Sequence, residues 1–464
     1  MSTKRIVIIG AGPTGLGAAY RLQELGATDF VVVDAAPEVG GLSRSFVDAQ
    51  GFTWDIGGHV QFSHYAYFDQ VMQRALGEGG WHHHQREAWA RMFNRWVPYP
   101  VQNNLRHFPK EALVQCVQGL VQLLKRGPSA TPPSNFHEWI DATFGEGLAA
   151  IFMRPYNFKV WAYPPAALAW SWIGERVAVT DLERVLNNVL LEKDDVAWGP
   201  NNTFQFPKEG GTGSIWRAVA GLIGARHFKL GVQVTSVDSA RRLVHLSNGE
   251  ALPYDALIST MPVDRLVPLL TPHDPVVSQA AQQLVHSSTN IVGLGLAGQT
   301  PAEMATKCWI YFPEDTAPFY RATVFSNYSQ AHVPDPKRFW SLMTETSESP
   351  AKPVDQATLV EQTIKGALAT GLIGSREQVV STWTYRAEYG YPTPTVDRDA
   401  HLAKVLPALE AREIYSRGRF GAWKYEVANQ DHSMMQGVEV VDRLLQGTAE
   451  TTLPFPAVAN RGVR

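Results

Sequence analysis

The chain has 464 residues, a net charge of −3, 45% hydrophobic residues and 18% charged residues. This length suits two or three domains, and the composition is that of an ordinary globular protein. The small net charge gives no electrostatic reason to expect nucleic acid or an anionic membrane as a partner. Function therefore has to be sought in local motifs.

Cysteine usage and hydropathy indicate a reducing compartment. The chain has two cysteines, Cys116 and Cys308, which are far apart in sequence; this fits the cytoplasm and argues against an enzyme with a redox-active cysteine pair. No run of about 18 apolar residues occurs, so we expect no membrane-spanning helix. The first predicted strand follows Met1 so closely that we expect no signal peptide. We predict a cytoplasmic protein.

The first 45 residues predict a dinucleotide site. Residues 5–9 and 30–33 are apolar runs typical of buried strands, and the sequence GAGPTG at 10–15 lies between them and opens a helical pattern. Such a turn brings backbone N–H groups to a pyrophosphate at the helix N-terminus. Asp34, directly after the second strand, would bind a ribose and repel a 2′-phosphate, which favours FAD or NAD over NADP. Glycine pairs at 40–41 and 57–58 suggest a longer ligand, hence FAD.

The remaining pattern predicts an α/β protein with a Rossmann-like FAD-binding domain, an inserted helical domain and an antiparallel β-sheet domain. We assign residues 1–100, 204–270 and 400–450 to the discontinuous FAD-binding domain. Residues 101–203 form the helical substrate lid, 271–399 the antiparallel sheet domain, and 451–464 a flexible tail.

Several segments mix aromatic side chains with arginine or amide groups, at 96–103, 152–161, 309–321 and 419–429. The guanidinium group suits phosphate oxygens, tyrosine adds neutral donors, and aromatic faces stack on bases or sugars. Most such aromatics could equally be core residues, but arginines in apolar segments need an anionic partner. These segments together predict a substrate with a diphosphate, a base and a sugar.

These same segments resemble the eukaryotic-type UDP-galactopyranose mutase family from Ile6 to Leu445. The shared motifs are GAGPTGLG at 10–17, GGHVQFSHY at 57–65, WVPYPVQNN at 96–104, FMRPYNFKVW at 152–161, GERV at 174–177, CWIYFPED at 308–315, FYRATVFSNY at 319–328, GYPTPT at 390–395 and GRFGAWKYEVANQDHS at 418–433.

The resemblance implies an isomerase that interconverts the pyranose and furanose forms of a nucleoside-diphosphate hexose, UDP-galactose in the family. Reduced FAD would form a covalent N5 adduct with the sugar while the diphosphate leaves and returns, with no net redox change. NAD(P)H or another reductant would activate the flavin, and the protein could be a homo-oligomer.

The resemblance also implies roles for individual residues. The catalytic set is His59, Arg176, Arg321 and Arg419. The substrate-binding set is Tyr99, Val101, Gln102, Phe152, Asn157, Trp161, Asn201, Trp309, Tyr311, Tyr391, Tyr425 and Asn429. The cofactor set, including the residues of the dinucleotide motif, is Gly10, Gly12, Pro13, Thr14, Gly15, Asp34, Gly41, Leu42, Ser43, Gly57, Gly58, His59, Val234, Gly418, Arg419, Asn429, Gln430 and Ser433. Arg86 matches a family position near the reductant site.

Some features leave alternatives open. Val101 replaces an aromatic of the family's base pocket and Ala428 replaces a glycine, so a GDP-hexose such as GDP-galactose is an alternative substrate. A flavin amine oxidase or desaturase on the same fold is a second alternative, and a binding module without catalysis is a third. We expect no metal site, and we interpret the three histidines at 82–84 as a solvated loop.

Overall fold

A computed structural model describes residues 4–128, 130–196 and 202–461. Within these ranges no helix combines the length and apolar character needed to cross a bilayer. The helices are α1 (Pro13–Glu24), α2 (Ala66–Leu76), α3 (Lys110–Arg126), α4 (Phe136–Leu148), α5 (Arg154–Trp161), α6 (Leu182–Leu190), α7 (Gly211–Ile223), α8 (Val263–Leu266), α9 (Pro275–Gln282), α10 (Leu359–Ala369), α11 (Arg398–Glu410), α12 (Gln430–Gln446) and α13 (Pro456–Ala459).

The strands fall into three main sheets and two short two-stranded pairs. They are β1 (Ile6–Ile9), β2 (Phe30–Asp34), β3 (Ser45–Val47), β4 (Thr53–Asp55), β5 (Trp81–Gln85), β6 (Ala88–Met92), β7 (Arg95–Pro98), β8 (Thr203–Pro207), β9 (Phe228–Leu230), β10 (Val234–Asp238), β11 (Leu243–Leu246), β12 (Ala251–Pro253), β13 (Ala256–Ser259), β14 (Leu270–Thr271), β15 (His286–Ala297), β16 (Trp309–Tyr311), β17 (Arg321–Val324), β18 (Phe339–Glu348), β19 (Val379–Pro392) and β20 (Ile414–Ser416).

The nucleotide domain is built on a five-stranded parallel sheet with the order β20-β13-β1-β2-β9. Its strands are short apolar runs because helices cover both faces. The helix α1 follows β1, as the glycine motif predicts, and it packs against α12 from the end of the chain. The α/β fold class is confirmed, and β13, which lies within the predicted 204–270 part of the FAD-binding domain, pairs with β1 in this sheet.

Close packing explains two glycines of the motif. Gly10 has φ +102°, a backbone conformation that other residues rarely adopt. A Cβ atom at Gly15 would lie 1.8 Å from the carbonyl oxygen of Gly10. The first turn of α1 can therefore rest on the end of β1 only if residue 15 has no side chain.

The helical insert forms its own apolar core. Helices α3 to α6 bury one cluster that includes Phe136, Ile140, Phe144 and Leu148 at 0% exposure. These residues recur four positions apart on α4, so a single stripe of that helix faces the core.

The large sheet corrects two features of the predicted organisation. Its order is β19-β15-β18-β17-β16-β6-β7, so residues 88–98 belong to this sheet and not to the nucleotide domain. Its neighbouring strands are antiparallel except for β16 and β6, which pair in parallel. The sequence could not show this because β6 lies more than 200 residues before its partner.

Residues 451–461 were predicted to be a flexible tail, which is wrong. Thr452 is fully buried, and its backbone and hydroxyl groups both donate hydrogen bonds to Glu439, at 2.8 and 2.7 Å. Leu453 and Ala459 are also buried, and α13 lies within this stretch. A segment that buries apolar side chains and satisfies its backbone groups has little reason to fray.

The three histidines at 82–84 also differ from the prediction, because they lie on β5 and pair with β8. The His84 ring stacks on Phe204 with centroids 5.0 Å apart, and its Nε2 contacts the backbone oxygen of Tyr328 at 3.0 Å. Packing against an aromatic core therefore accounts for this histidine.

We predict that Gly15→Ala will lower FAD occupancy and reduce the free energy of unfolding by about 2–3 kcal/mol, because the new methyl group forces α1 off β1. FAD absorbance per protein and urea unfolding measure the two effects. The control is Gly221→Ala on α7, where a Cβ meets nothing within 4 Å and the stability should rise by roughly 0.5–1 kcal/mol. Normal FAD content in the Gly15 variant would contradict the explanation.

Candidate functional site

A cavity of about 1090 Å³ runs from the end of β1 to the large sheet and the helical insert. This volume exceeds that of an ordinary single-ligand pocket, which favours a long cofactor together with a substrate. Most of the predicted site residues line it. They are Gly10, Gly12, Pro13, Thr14, Asp34, Gly41, Leu42, Ser43, Gly57, Gly58, His59, Arg86, Tyr99, Arg176, Val234, Trp309, Tyr311, Arg321, Tyr391, Arg419, Tyr425, Asn429, Gln430 and Ser433.

One end of the cavity fits a dinucleotide. The helix α1 begins there with Gly12 as its N-cap, which offers no side chain to its free N–H groups, and the first turn carries no acidic residue. These N–H groups and the positive end of the helix can bind a pyrophosphate. Asp34 lies beside them, and its carboxylate accepts hydrogen bonds from the backbone of Ala11 and Ala36 at 2.7 and 2.8 Å. These bonds fix the carboxylate, whose remaining lone pairs can accept from a ribose.

A second helix N-terminus lies further along the same cavity. Asn429 is the N-cap of α12 and makes no side-chain capping bond, while Gln430, Asp431 and Ser433 line the wall. A carbonyl-rich ring placed here would meet unpaired N–H donors. Together with the first helix N-terminus, this arrangement fits FAD in an extended form.

A buried ion pair lies at the centre of the cavity wall. Glu345 accepts hydrogen bonds from Arg321 Nε at 2.9 Å and Arg321 NH2 at 2.8 Å, from the Tyr320 hydroxyl at 2.6 Å and from the Gly58 N–H at 2.9 Å. Burial alone would raise the pKa of Glu345, but Arg321 and the other donors hold it below its usual value. Glu345 thus remains ionised and fixes one edge of the Arg321 guanidinium. The NH1 group of Arg321 makes none of these bonds.

His59 lies in the glycine loop beside this ion pair. Its Nδ1 is buried without a hydrogen-bond partner among the described residues. Burial lowers the pKa of His59 to about 4. The negative charge of Glu345 raises this pKa, whereas the positive charges of Arg419 and Arg321 lower it further. The imidazole is therefore neutral at pH 7, and it offers an unpaired nitrogen to whatever occupies the cavity.

Arg419 is held by backbone oxygens and not by a carboxylate. Its NH2 donates to Gly390 O at 2.9 Å and its NH1 to Ala428 O at 3.2 Å. Its guanidinium also lies over the Tyr391 ring, 4.9 Å from the centroid. Burial lowers the pKa of Arg419, yet an arginine stays protonated. The wall therefore contains a positive charge that attracts an anion.

Tyrosines line the side of the cavity that packs against the core of the helical insert. Tyr99 and Tyr311 contact each other with ring centroids 4.9 Å apart. Tyr391 and Tyr425 do so at 5.8 Å, and Arg176 lies over the Tyr425 ring at 5.4 Å. Tyrosine hydroxyls and cations thus lie close together on one surface, an arrangement that suits the binding of a diphosphate.

Some predicted residues do not reach the wall. Gly15 and Gly418 lie behind it and allow close backbone packing, since a Cβ at Gly418 would lie 2.3 Å from Thr14 Oγ1. Five predicted substrate contacts are buried within the helical insert: Val101, Gln102, Phe152, Asn157 and Trp161. The side-chain amides of Gln102 and Asn157 donate hydrogen bonds to backbone oxygens of the insert. Asn201 lies outside the described residues.

The placement of Val101 corrects one step of the sequence argument. Its side chain is 0% exposed and packs in the apolar core of the insert. It therefore cannot touch a base in this arrangement of the chain, and a change of base preference cannot be attributed to direct contact with Val101.

Among the charged cavity residues to which the sequence-based analysis gave no role are Glu345, Arg44 and Arg265. Glu345 lies among threonines and serines in β18, Arg44 lies just after the first glycine pair, and Arg265 lies within the short helix α8, far from any motif. Only an acid flanked by uncharged residues that are typical of a buried strand could have given a signal, and it points to no particular partner.

Comparison with known proteins identifies the family. A solved structure described as reduced UDP-galactopyranose mutase is 50% identical to this chain, with a TM-score of 0.96, and the match covers 99% of this chain and 98% of that one. This chain belongs to the UDP-galactopyranose mutase family. The family model "Flavin containing amine oxidoreductase" also matches, over residues 13–407, so this mutase-family chain belongs to that larger flavoprotein family as well.

More distant matches show the fold alone. A fatty acid isomerase from P. acnes is 16% identical with a TM-score of 0.64, covering 96% of this chain and all of that one. Cyclohexylamine oxidase from Brevibacterium oxydans is 14% identical with a TM-score of 0.66, covering 95% and 99%. A curated "Probable zeta-carotene desaturase" from Synechococcus elongatus is 39% identical over 70 residues, which are 15% of this chain and 14% of that protein.

The His59 environment predicts a pH dependence of stability. Because the pKa of His59 is about 4 in the folded flavin-free protein and 6.5 in an unfolded chain, the unfolded state binds more protons between these values. Stability is thus retained above pH 6.5 and lost as the pH falls toward 4, by about 1–2 kcal/mol from this group. His59→Gln should remove that part of the slope in urea unfolding of flavin-stripped protein. The exposed His83→Gln serves as control, and an unchanged slope in the His59 variant would contradict the assignment.

The buried ion pair predicts a large cost for its disruption. Glu345→Gln leaves the Arg321 cation without its carboxylate, so we expect the free energy of unfolding to fall by about 3 kcal/mol. Glu361→Gln, at the half-exposed pair of Glu361 and Arg376, is the matched control and should change it far less, because water screens this pair. Equal changes in the free energy of unfolding, measured in urea, for the two substitutions would contradict the prediction that the buried pair contributes more to stability.

Proposed function

We propose that this protein is a flavin-dependent isomerase that interconverts the pyranose and furanose forms of a nucleoside-diphosphate hexose, with UDP-galactose as the substrate. The observation that carries this proposal is the joint wall of Arg176, Arg321 and Arg419 with four tyrosines, facing a cavity that also fits FAD. The family match, at 50% identity over nearly the whole chain, supports the same conclusion.

The chemistry of the reaction assigns distinct tasks to the wall. When bound, reduced FAD would supply the nucleophile, its N5, that takes the sugar from the nucleoside diphosphate without net redox change. The leaving diphosphate has to remain close, because the same bond must be formed again after the ring has opened and closed. Arg176, Arg321 and the tyrosine hydroxyls supply donors that can hold it.

The two inner arginines differ in how much charge they offer. Glu345 neutralises Arg321 along one edge, so this residue contributes mainly directed N–H donors. Arg419 is bonded only to neutral backbone oxygens in the described chain, so its full charge acts on the cavity. A full cation stabilises negative charge that develops in a partly dry site.

His59 supplies a neutral imidazole at the loop that faces the same space. Because its pKa lies near 4, it neither adds a positive charge at pH 7 nor repels the arginines. Its buried, unpaired Nδ1 can accept or donate a hydrogen bond, depending on the tautomer. We propose that this nitrogen contacts the flavin and changes partner with the flavin's redox state.

The identity of the base remains a proposal. The predicted contacts Val101, Gln102, Phe152, Asn157 and Trp161 lie behind the wall, so a base pocket made of them would require the insert to rearrange on binding. Uracil is proposed because of the family, and a GDP-hexose remains the alternative. Both cysteines are free and buried, which supports a reducing compartment such as the cytoplasm.

We predict that dithionite-reduced protein will convert UDP-galactopyranose to the furanose form, and that air-oxidised protein will be nearly inactive. Chromatography of the products from UDP-galactose, GDP-galactose and GDP-mannose measures activity and base preference. Conversion of only a GDP-sugar would move the assignment to the alternative base. Turnover without reduction would contradict the flavin mechanism, and substrate-dependent hydrogen peroxide would favour an oxidase.

Arg321→Ala should weaken binding of UDP by about 2–4 kcal/mol, because a partly buried donor to the diphosphate is lost and Glu345 remains as an uncompensated negative charge. Calorimetric titration with UDP measures the change. The control is Arg376→Ala, at an exposed pair on the outside of the sheet domain, which should leave UDP binding unchanged. Equal UDP affinity in the Arg321 variant and the wild type would remove Arg321 from the site.

A further inference from the structure

The C-terminal segment, residues 451–461, reaches the substrate side of the cavity. Asn460 lies at its end, directly after α13, and it is only partly exposed. Its side-chain amide donates to the backbone oxygen of Glu426 at 2.9 Å and to that of Pro456 at 2.8 Å. The amide oxygen of Asn460 accepts a hydrogen bond from Arg176 NH1 at 3.2 Å. One side chain thus joins three separate parts of the chain.

Each of the two connected parts carries a residue of the cavity wall. Arg176 itself lines the cavity, and Tyr425, whose ring lies under the Arg176 guanidinium, directly precedes Glu426. The Glu426 carboxylate is in turn fixed by buried Arg398, through two hydrogen bonds of 2.9 and 2.8 Å. The position of Glu426 is therefore fixed by Arg398, and Asn460 links the Arg176 side chain to the Glu426 backbone.

We propose that Asn460 is a positioning residue that holds Arg176 over Tyr425, ready for the anionic diphosphate of the substrate. This role rests on the proposed function, and it goes beyond it by giving the C-terminal segment a part in orienting a residue of the substrate cleft. Asn460 does not line the cavity, so it acts through Arg176 and not by touching the substrate.

The choice of an amide has a physical consequence. A neutral acceptor orients a guanidinium without cancelling its charge, whereas a carboxylate such as Glu345 at Arg321 does both. Arg176 therefore keeps its full charge for an incoming anion. The single bond to NH1 leaves the other N–H groups of the guanidinium to meet phosphate oxygens.

The central experiment is a double-mutant cycle in the FAD-loaded protein. Asn460→Leu keeps the approximate shape and removes all three hydrogen bonds; we expect it to raise the KM for UDP-galactose and the Kd for UDP about tenfold, as the loss of an orienting bond to a charged group implies. In an Arg176→Ala background the same substitution should have no further effect, because Asn460 acts through Arg176. Val458→Ala, on the exposed side of α13, is the control and should leave both constants unchanged.

A second variant keeps the test decisive should Asn460→Leu fail to fold. Asn460→Asp retains an acceptor for Arg176 but adds a charge that competes with the diphosphate. The ratio of its UDP Kd to that of the wild type should exceed one at low salt and decrease as salt screens the carboxylate. A ratio that does not change with salt would overturn the proposal, as would an Asn460→Leu effect of equal size with and without Arg176.

Hydrogen exchange separates this proposal from the proposed function. In ligand-free, FAD-loaded protein, Asn460→Leu should speed amide exchange in residues 171–180 relative to Val458→Ala. Faster exchange there supports the Asn460–Arg176 contact even if no nucleotide sugar is converted, an outcome that overturns only the proposed function. Normal exchange and a normal KM in an active Asn460→Leu enzyme would overturn only the positioning role.

Discussion

The buried carboxylate of Glu345 is the interaction on which the site depends. It accepts from Arg321 and Tyr320 on the large sheet and from the Gly58 N–H in the loop of the nucleotide domain. This one side chain therefore connects the glycine loop at 57–59 to the part of the cavity wall that contains Arg321. A charge taken out of water is stable only when such donors surround it, so the loop and the sheet are held together by the same electrostatic requirement.

The cations of the wall act differently because their acceptors differ. Arg321 is paired with a carboxylate, Arg176 with a neutral amide and Arg419 with backbone oxygens. The cavity wall thus combines one guanidinium that a carboxylate neutralises, that of Arg321, with two that keep their full charge, those of Arg176 and Arg419. Such a graded set of charges suits a diphosphate that is bound as part of the substrate, leaves the sugar as an anion and then forms the same bond again. The negative charge near the wall differs between these stages.

The described C-terminal segment, residues 451–461, packs beside Arg176 of the cavity wall. The segment that composition predicts to be a tail is buried at Thr452 and Leu453, and it reaches Arg176 through Asn460. Its two prolines and weak periodicity carry no sign of this, because a short irregular segment is stabilised by the groove that receives it and not by its own pattern. The prediction of a flexible tail was wrong for that reason.

The sequence by itself determined the nucleotide half. Gly10, Gly15 and Asp34 satisfy local requirements of a tight turn, a close helix and a ribose contact, and local requirements can be read from a few consecutive residues. Arg321 could likewise be named from its motif. Its partner could not, because Arg321 and Glu345 face each other only through the register of β17 and β18, and register is decided by the burial of whole strands. The same holds for Val101, whose place in the core of the insert depends on how four helices pack and not on its neighbours in the chain.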